Sequence, residues 1–116
     1  VAWLVRGDKV LAAVEVADGP RARMRGLLGR DGVDGAMLLS PARSVHTMRM
    51  RFPIDVAFCD RNMEVVRVVT MAPNRLGRPV WRARSVIETE AGTMAHWDLR
   101  PGDRLAVRGP ELEPPG

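Results

Sequence analysis

In the middle of the chain Ile54, Val56 and Phe58 alternate with Asp55, Ala57 and Cys59. A period of two is that of a strand with two faces, so residues 53–60 are predicted to form one. Pro53 opens the run, where no ladder N–H is missed. Asp55 is the one acid inside the alternating run 54–59, and an unpaired buried charge is costly, so it requires a partner or water. The same reading extends outward. Residues 1–6 and 10–17 are apolar-rich runs on either side of Gly7-Asp8-Lys9. That is a hairpin signal, because glycine supplies the positive φ of a tight turn. Asp18-Gly19-Pro20 stops the second run and starts a helix over residues 20–28, with Asp18 or Gly19 as cap and Pro20 in the first turn. Met24, Leu27 and Leu28 form its apolar stripe, while Arg21 and Arg25 lie one turn apart on another face. Gly26 inside it costs about 1 kcal/mol against alanine, which points to close backbone approach to a neighbour.

Further strands are predicted over residues 35–40, closed by Pro41, and over 44–50. Arg61-Asn62 is the turn from which residues 64–71 return as an antiparallel partner of the central strand. Residues 72–79 read as a loop. In the strand over 85–90, Val86, Glu88 and Glu90 share a face. Ala91-Gly92 breaks it, and a single helical turn over 93–99 has Thr93 as its expected cap. Pro101-Gly102 turns the chain into a last strand over 103–108. Many short strands with few helical patterns define a mostly β (α+β) domain: small, barrel-like and antiparallel, with one or two short helices. It is expected to occupy residues 1–108, followed by a loose Pro-rich tail over 109–116.

A chain of 116 residues is long enough for one core without disulfides or metal. A single cysteine forms no internal disulfide, no Cys/His set has zinc spacing, and nothing calls for a cofactor. No apolar run approaches the roughly 20 residues of a membrane span. A cytoplasmic location is the expectation, unless an upstream signal or anchor preceded Val1.

Charge adds more. The formal net charge is +4, and Lys9 is the only lysine, so the basic side chains are almost all arginine. GC-rich coding explains such a bias without nucleic acid. Aromatic residues make up 4% of the chain, too few for stacking platforms, and no helix-turn-helix, zinc-finger or RNA-recognition pattern occurs. The layout is more suggestive than the total. No acid falls between Asp34 and Asp55, or between Glu64 and Glu88. Arg43, Arg49 and Arg51 lie in the first gap; Arg67, Arg75, Arg78, Arg82 and Arg84 lie in the second, with Trp81 among them. If the gaps adjoin in space, they form a positive surface for an anionic ligand or an acidic protein partner. The alternative is a solvated arginine-rich loop.

Several short motifs in order resemble the DUF192 family (COG1430), small prokaryotic domains without an assigned biochemical function. Arg23-Met24-Arg25-Gly26-Leu27-Leu28-Gly29-Arg30 resembles its R-x-R-G-L-M-G-R helix, with Leu28 where methionine is usual. Gly35-Ala36-Met37-Leu38-Leu39 is similar to its G-M-L-F segment. His46-Thr47, Met50 and Phe52-Pro53-Ile54-Asp55-Val56 match one version of its central motif, H-T-x-x-M-x-F-P-I-D-V. Val86-Ile87-Glu88, Ala91-Gly92 and Gly102-Asp103 follow in order over a resemblance that spans about residues 9–108. The resemblance implies a compact, mostly β fold with short helices and no established catalytic residues. Another version of the motif carries tryptophan and methionine at the positions of His46 and Thr47, which weighs against His46 as a universal base.

Two readings of the polar motif residues follow. In the first, Arg25, His46, Asp55, Glu88 and Asp103 gather around one pocket. In the second they are structural: Arg25 pairs with a carboxylate, Asp55 foremost, to fix helix against strand, and Asp103 closes a turn. The leading functional expectation is a non-catalytic binding or accessory domain. Its candidate binding residues are Arg25, His46, Asp55 and Glu88 from the motifs, with Arg49, Arg51, Arg78, Trp81 and Arg82 from the basic gaps. The alternative is a small hydrolase-like enzyme with His46 as base and Asp55 or Glu88 as its orienter. Cys59 serves as a nucleophile only beside a histidine or a helix N-terminus.

Overall fold

The strands predicted by alternation pair into one sheet. A computed structural model describes residues 2–17 and 35–109. The strands are β1 (Ala2–Arg6), β2 (Lys9–Ala17), β3 (Ala36–Leu39), β4 (Ile54–Cys59), β5 (Val65–Met71), β6 (Ser85–Glu90) and β7 (Ala106–Arg108). Their spatial order is β5-β4-β6-β3-β2-β1-β7. The expected helix over 20–28, with Arg25, and the tail from Pro110 lie outside the described residues.

Local chemistry sets each turn. Gly7, at φ 63°, lets Arg6 pair directly with Lys9 across the β1–β2 hairpin. Asp60 shapes the β4–β5 turn: its Oδ1 accepts from the backbone N–H of Asn62 (2.8 Å) and Glu64 (3.0 Å). Those bonds hold its carboxyl below the usual carboxylate range.

The mostly β expectation holds, with two refinements. The sheet is mixed, because β2 and β3 run parallel, Val14 opposite Ala36 through Ala17 opposite Leu39. Parallel neighbours need a long crossover, and the chain between Ala17 and Ala36 is long enough to supply one. The sheet is also barrel-like without closing. Among the described residues its outer strands approach at one end, through a bridge between Glu64 and Arg104 and bonds from Val65 N–H to Asp103 O and from Leu105 N–H to Met63 O.

β4 is buried at every position, so both of its faces are covered. Ile54, Val56 and Phe58 join Met37, Leu39 and Val86 under a lid that contributes Val45, Met50, Phe52 and Ala83. Ala57 and Cys59 join Leu4, Leu38 and Ile87 on the other face, under Met94, Leu99 and Leu105. Met94 belongs to the short helix α1 (Thr93–His96). The cap differs from expectation: it is Gly92, at φ 98°, and not Thr93. Residues 44–50 also differ from the predicted strand. His46 makes one isolated bridge to Leu76, and the chain then turns, with Met50 N–H bonded to Thr47 O and Arg49 at φ 65°.

Candidate functional site

Asp55 finds its partners in main chain and hydroxyl. Its carboxylate is buried, and its Oδ2 accepts from the N–H of Gly92 (2.9 Å) and Met94 (3.1 Å). Oδ1 accepts from the Thr70 hydroxyl at 2.6 Å. A carboxylate from β4 therefore caps α1, which has no side-chain cap from Gly92. The helix is fixed against the sheet by a bond its own sequence does not contain. Arg25, the partner expected from sequence, lies outside the described residues.

His46 stands elsewhere. It is exposed, in the lid segment over the Val56–Phe58 face, and its Nδ1 accepts from Met48 N–H at 3.3 Å. Asp55 shares the other face with Ala57. The structure does not bring the two together as base and orienter. Glu88 is on the lid side of the sheet, opposite Val56 and Met37. It is 4% exposed, and burial pushes its carboxyl up to about 7. Cys59 is buried, and burial with the neighbouring Asp60 charge pushes its thiol up to about 12, which disfavours the thiolate. Asp103 closes its turn as expected: its Oδ2 accepts from Arg100 N–H (3.0 Å) and pairs with Arg6 at 3.2 Å. Among the described residues no His/Cys/Asp/Glu group could hold a metal ion. None of their helices is long and apolar enough to cross a membrane.

The two acid-free gaps do adjoin. Ala42 N–H bonds to Arg84 O, Val80 N–H to Arg43 O, Gly77 N–H to Val45 O, Thr47 N–H to Arg75 O and Asn74 N–H to Thr47 O. Side chains complete the seam: Arg43 Nε donates to Ala83 O (3.0 Å), and Arg49 N–H donates to Asn74 Oδ1 (2.9 Å). Gly77 is required by closeness, since a Cβ there would stand 2.5 Å from Val45 O. Thr47 pins the centre, fully buried. Its hydroxyl donates to Ala72 O (2.6 Å) and accepts from Arg75 N–H (2.8 Å). Thr47→Val keeps the shape and leaves that N–H unpaired, so it should cost about 2 kcal/mol, measured as a shift in urea midpoint at constant slope.

Several arginines of the two segments are exposed. Arg43, Arg49, Arg51, Arg75, Arg78, Arg82 and Arg84 all lie at the surface, and Arg67 joins them from β5. Arg82 is partly offset by the nearby Asp60. Trp81, 78% exposed, and Leu76, 80% exposed, add apolar area. A groove of about 480 Å³ runs between β5 and the following loop, lined by Arg67, Arg75 and Arg78 above Phe58, Val69, Met71 and Val80. Among the described residues no acid lines it. Sequence reasoning missed Thr47 as the pin and the apolar floor of the groove. The gap pattern was the signal for its arginine rim.

The fold is that of a small mixed-sheet β domain. The chain belongs to the DUF192 family (uncharacterised ACR, COG1430), whose model matches residues 3–107. A UPF0127 protein of Pyrococcus furiosus is 30% identical over 107 residues, covering 88% of this chain and 92% of its own. A UPF0127 protein of Pyrococcus horikoshii is 32% identical over 97 residues, covering 79% and 84%. Two solved structures share the fold. One is a protein of unknown function from Novosphingobium aromaticivorans, with TM-score 0.76, 16% identity, and coverage of 90% of this chain and 82% of that one. The other is a proposed transcription regulator of Sinorhizobium meliloti, with TM-score 0.77, 23% identity and 91% coverage of both.

Proposed function

We propose that this chain is a non-catalytic binding domain that takes an anionic partner on its arginine-rich face. The observation that carries this reading is the seam. Two segments without an acid between them are hydrogen-bonded edge to edge, so their arginines share one surface. Clustered guanidinium groups favour carboxylate or phosphate, and their summed positive field steers such anions to the face. The buried polar residues serve the fold instead: Asp55 caps α1 and Thr47 pins the seam. The domain acts as an accessory that holds a partner, with no reaction of its own.

The test is an NMR titration of backbone amides with pyrophosphate and, separately, with poly-glutamate. Shift changes should cluster on residues 43–51 and 67–84 and fade as salt shortens the Debye length. Changes spread over the whole molecule, or confined to the α1 end, would overturn the reading.

A further inference from the structure

Among the described residues, β5 is the last strand of the sheet, pairs only with β4 and has one side open. Val65, at its start, bonds to Gly102 and Asp103. Beyond it, among the described residues, no main-chain bond other than the β4 pairing reaches residues 67–71. The groove runs beside that stretch.

We infer that the partner held on the arginine-rich face is an acidic polypeptide segment that adds to β5 as an extended strand, with acidic and apolar side chains taking turns at every second position, the positions that face the arginines and the groove floor. The inference rests on the reading of the arginine-rich face and names its ligand. Charge complementarity selects the segment: Arg67, Arg75 and Arg78 line the groove, and no acid among the described residues lines it with them. Arg67, Val69 and Met71 share one face of β5, so the groove-facing positions of an added strand meet both a cation and an apolar floor, which favours a mixed acidic and apolar segment over a bare anion. An open edge strand supplies unpaired N–H and C=O groups, the most direct template for another strand. Arginine on such an edge ordinarily protects it from other copies of the same chain. Here the same charge repels a second basic edge and admits an acidic strand, so one feature serves both exclusion and recognition. Nucleic acid fits less well, because the groove presents no exposed aromatic ring among the described residues: Phe58 is 3% exposed, and Trp81 lies outside the lining.

Fluorescence anisotropy of the full chain tests this with four labelled probes. They are a peptide of the repeat Glu-Thr-Val-Thr, which shows Glu and Val in turn on one face, poly-glutamate of equal length, the first peptide N-methylated at alternate residues, and a single-stranded oligonucleotide. The Glu-Thr-Val-Thr peptide should bind about tenfold tighter than poly-glutamate, and lose about that factor on N-methylation or against the Arg67→Glu/Arg78→Glu protein. Equal binding of the two acidic peptides, indifferent to N-methylation, overturns the added strand while the anionic face stands. Tighter binding of the oligonucleotide overturns the peptide in favour of nucleic acid. No binding of any probe overturns both the inference and the functional reading beneath it.

Discussion

Glu88→Gln should make the domain more stable at pH 8 and change it little near pH 4.5. Glu88 lies within the sheet between Val56 and Met37, 4% exposed, and burial lifts its carboxyl from 4.5 to about 7. The folded state therefore keeps a proton that the unfolded chain has released between those values. Stability falls as pH rises through that window, because the unfolded state binds fewer protons there. A tenfold difference in proton affinity between the two states is worth about 1.4 kcal/mol, so the parent loses on the order of 3 kcal/mol across the window. Glutamine mimics the protonated acid and has no proton to lose. Urea melts of parent and variant at pH 4.5, 6 and 8 should diverge steadily with pH. Two curves that stay parallel would show that Glu88 ionises in the folded state as freely as in the unfolded one.

The strand pattern was legible because it is local. Alternation around Ile54–Cys59 and the turn residues Gly7-Asp8 and Arg61-Asn62 each act over a few positions, and β1, β2, β4, β5 and β6 follow from them. What sequence hid is long-range. Apolar alternation does not distinguish a parallel from an antiparallel neighbour, so the β2–β3 pairing was invisible. Residues 44–50 have strand-like composition, yet the Thr47 hydroxyl bonds to Ala72 O and Arg75 N–H and the chain turns at Arg49. Side-chain bonding of this kind competes with a ladder. The site was legible in part: the acid-free gaps were visible, whereas the seam joining them depends on pairings such as Gly77 with Val45, which no local pattern encodes.

Asp55→Leu is expected to cost about 3–5 kcal/mol, while Asp55→Asn costs only about 1–2. The difference follows from the bonding pattern. Both main-chain donors, Gly92 and Met94, use Oδ2, and only the Thr70 hydroxyl uses Oδ1. An asparagine oxygen at the Oδ2 position keeps both helix bonds, although it gives up the strength that charge lends them. Its NH2 group takes the Oδ1 position, and the Thr70 hydroxyl rotates to accept from it. Leucine offers no acceptor, so the buried Met94 N–H, the part-buried Gly92 N–H and the end of α1 lose their partner, and Met94 loses its fixed place in the core. An arginine partner would reverse the logic, since a neutral amide leaves a guanidinium uncompensated and asparagine then becomes nearly as damaging as leucine. Paired urea melts of Asp55→Asn and Asp55→Leu, with amide exchange at Met94 as the local readout, separate the two cases. Fast exchange at Met94 in the leucine protein alone identifies the carboxylate as the cap. Losses of equal size in both variants would instead place a cation against Asp55.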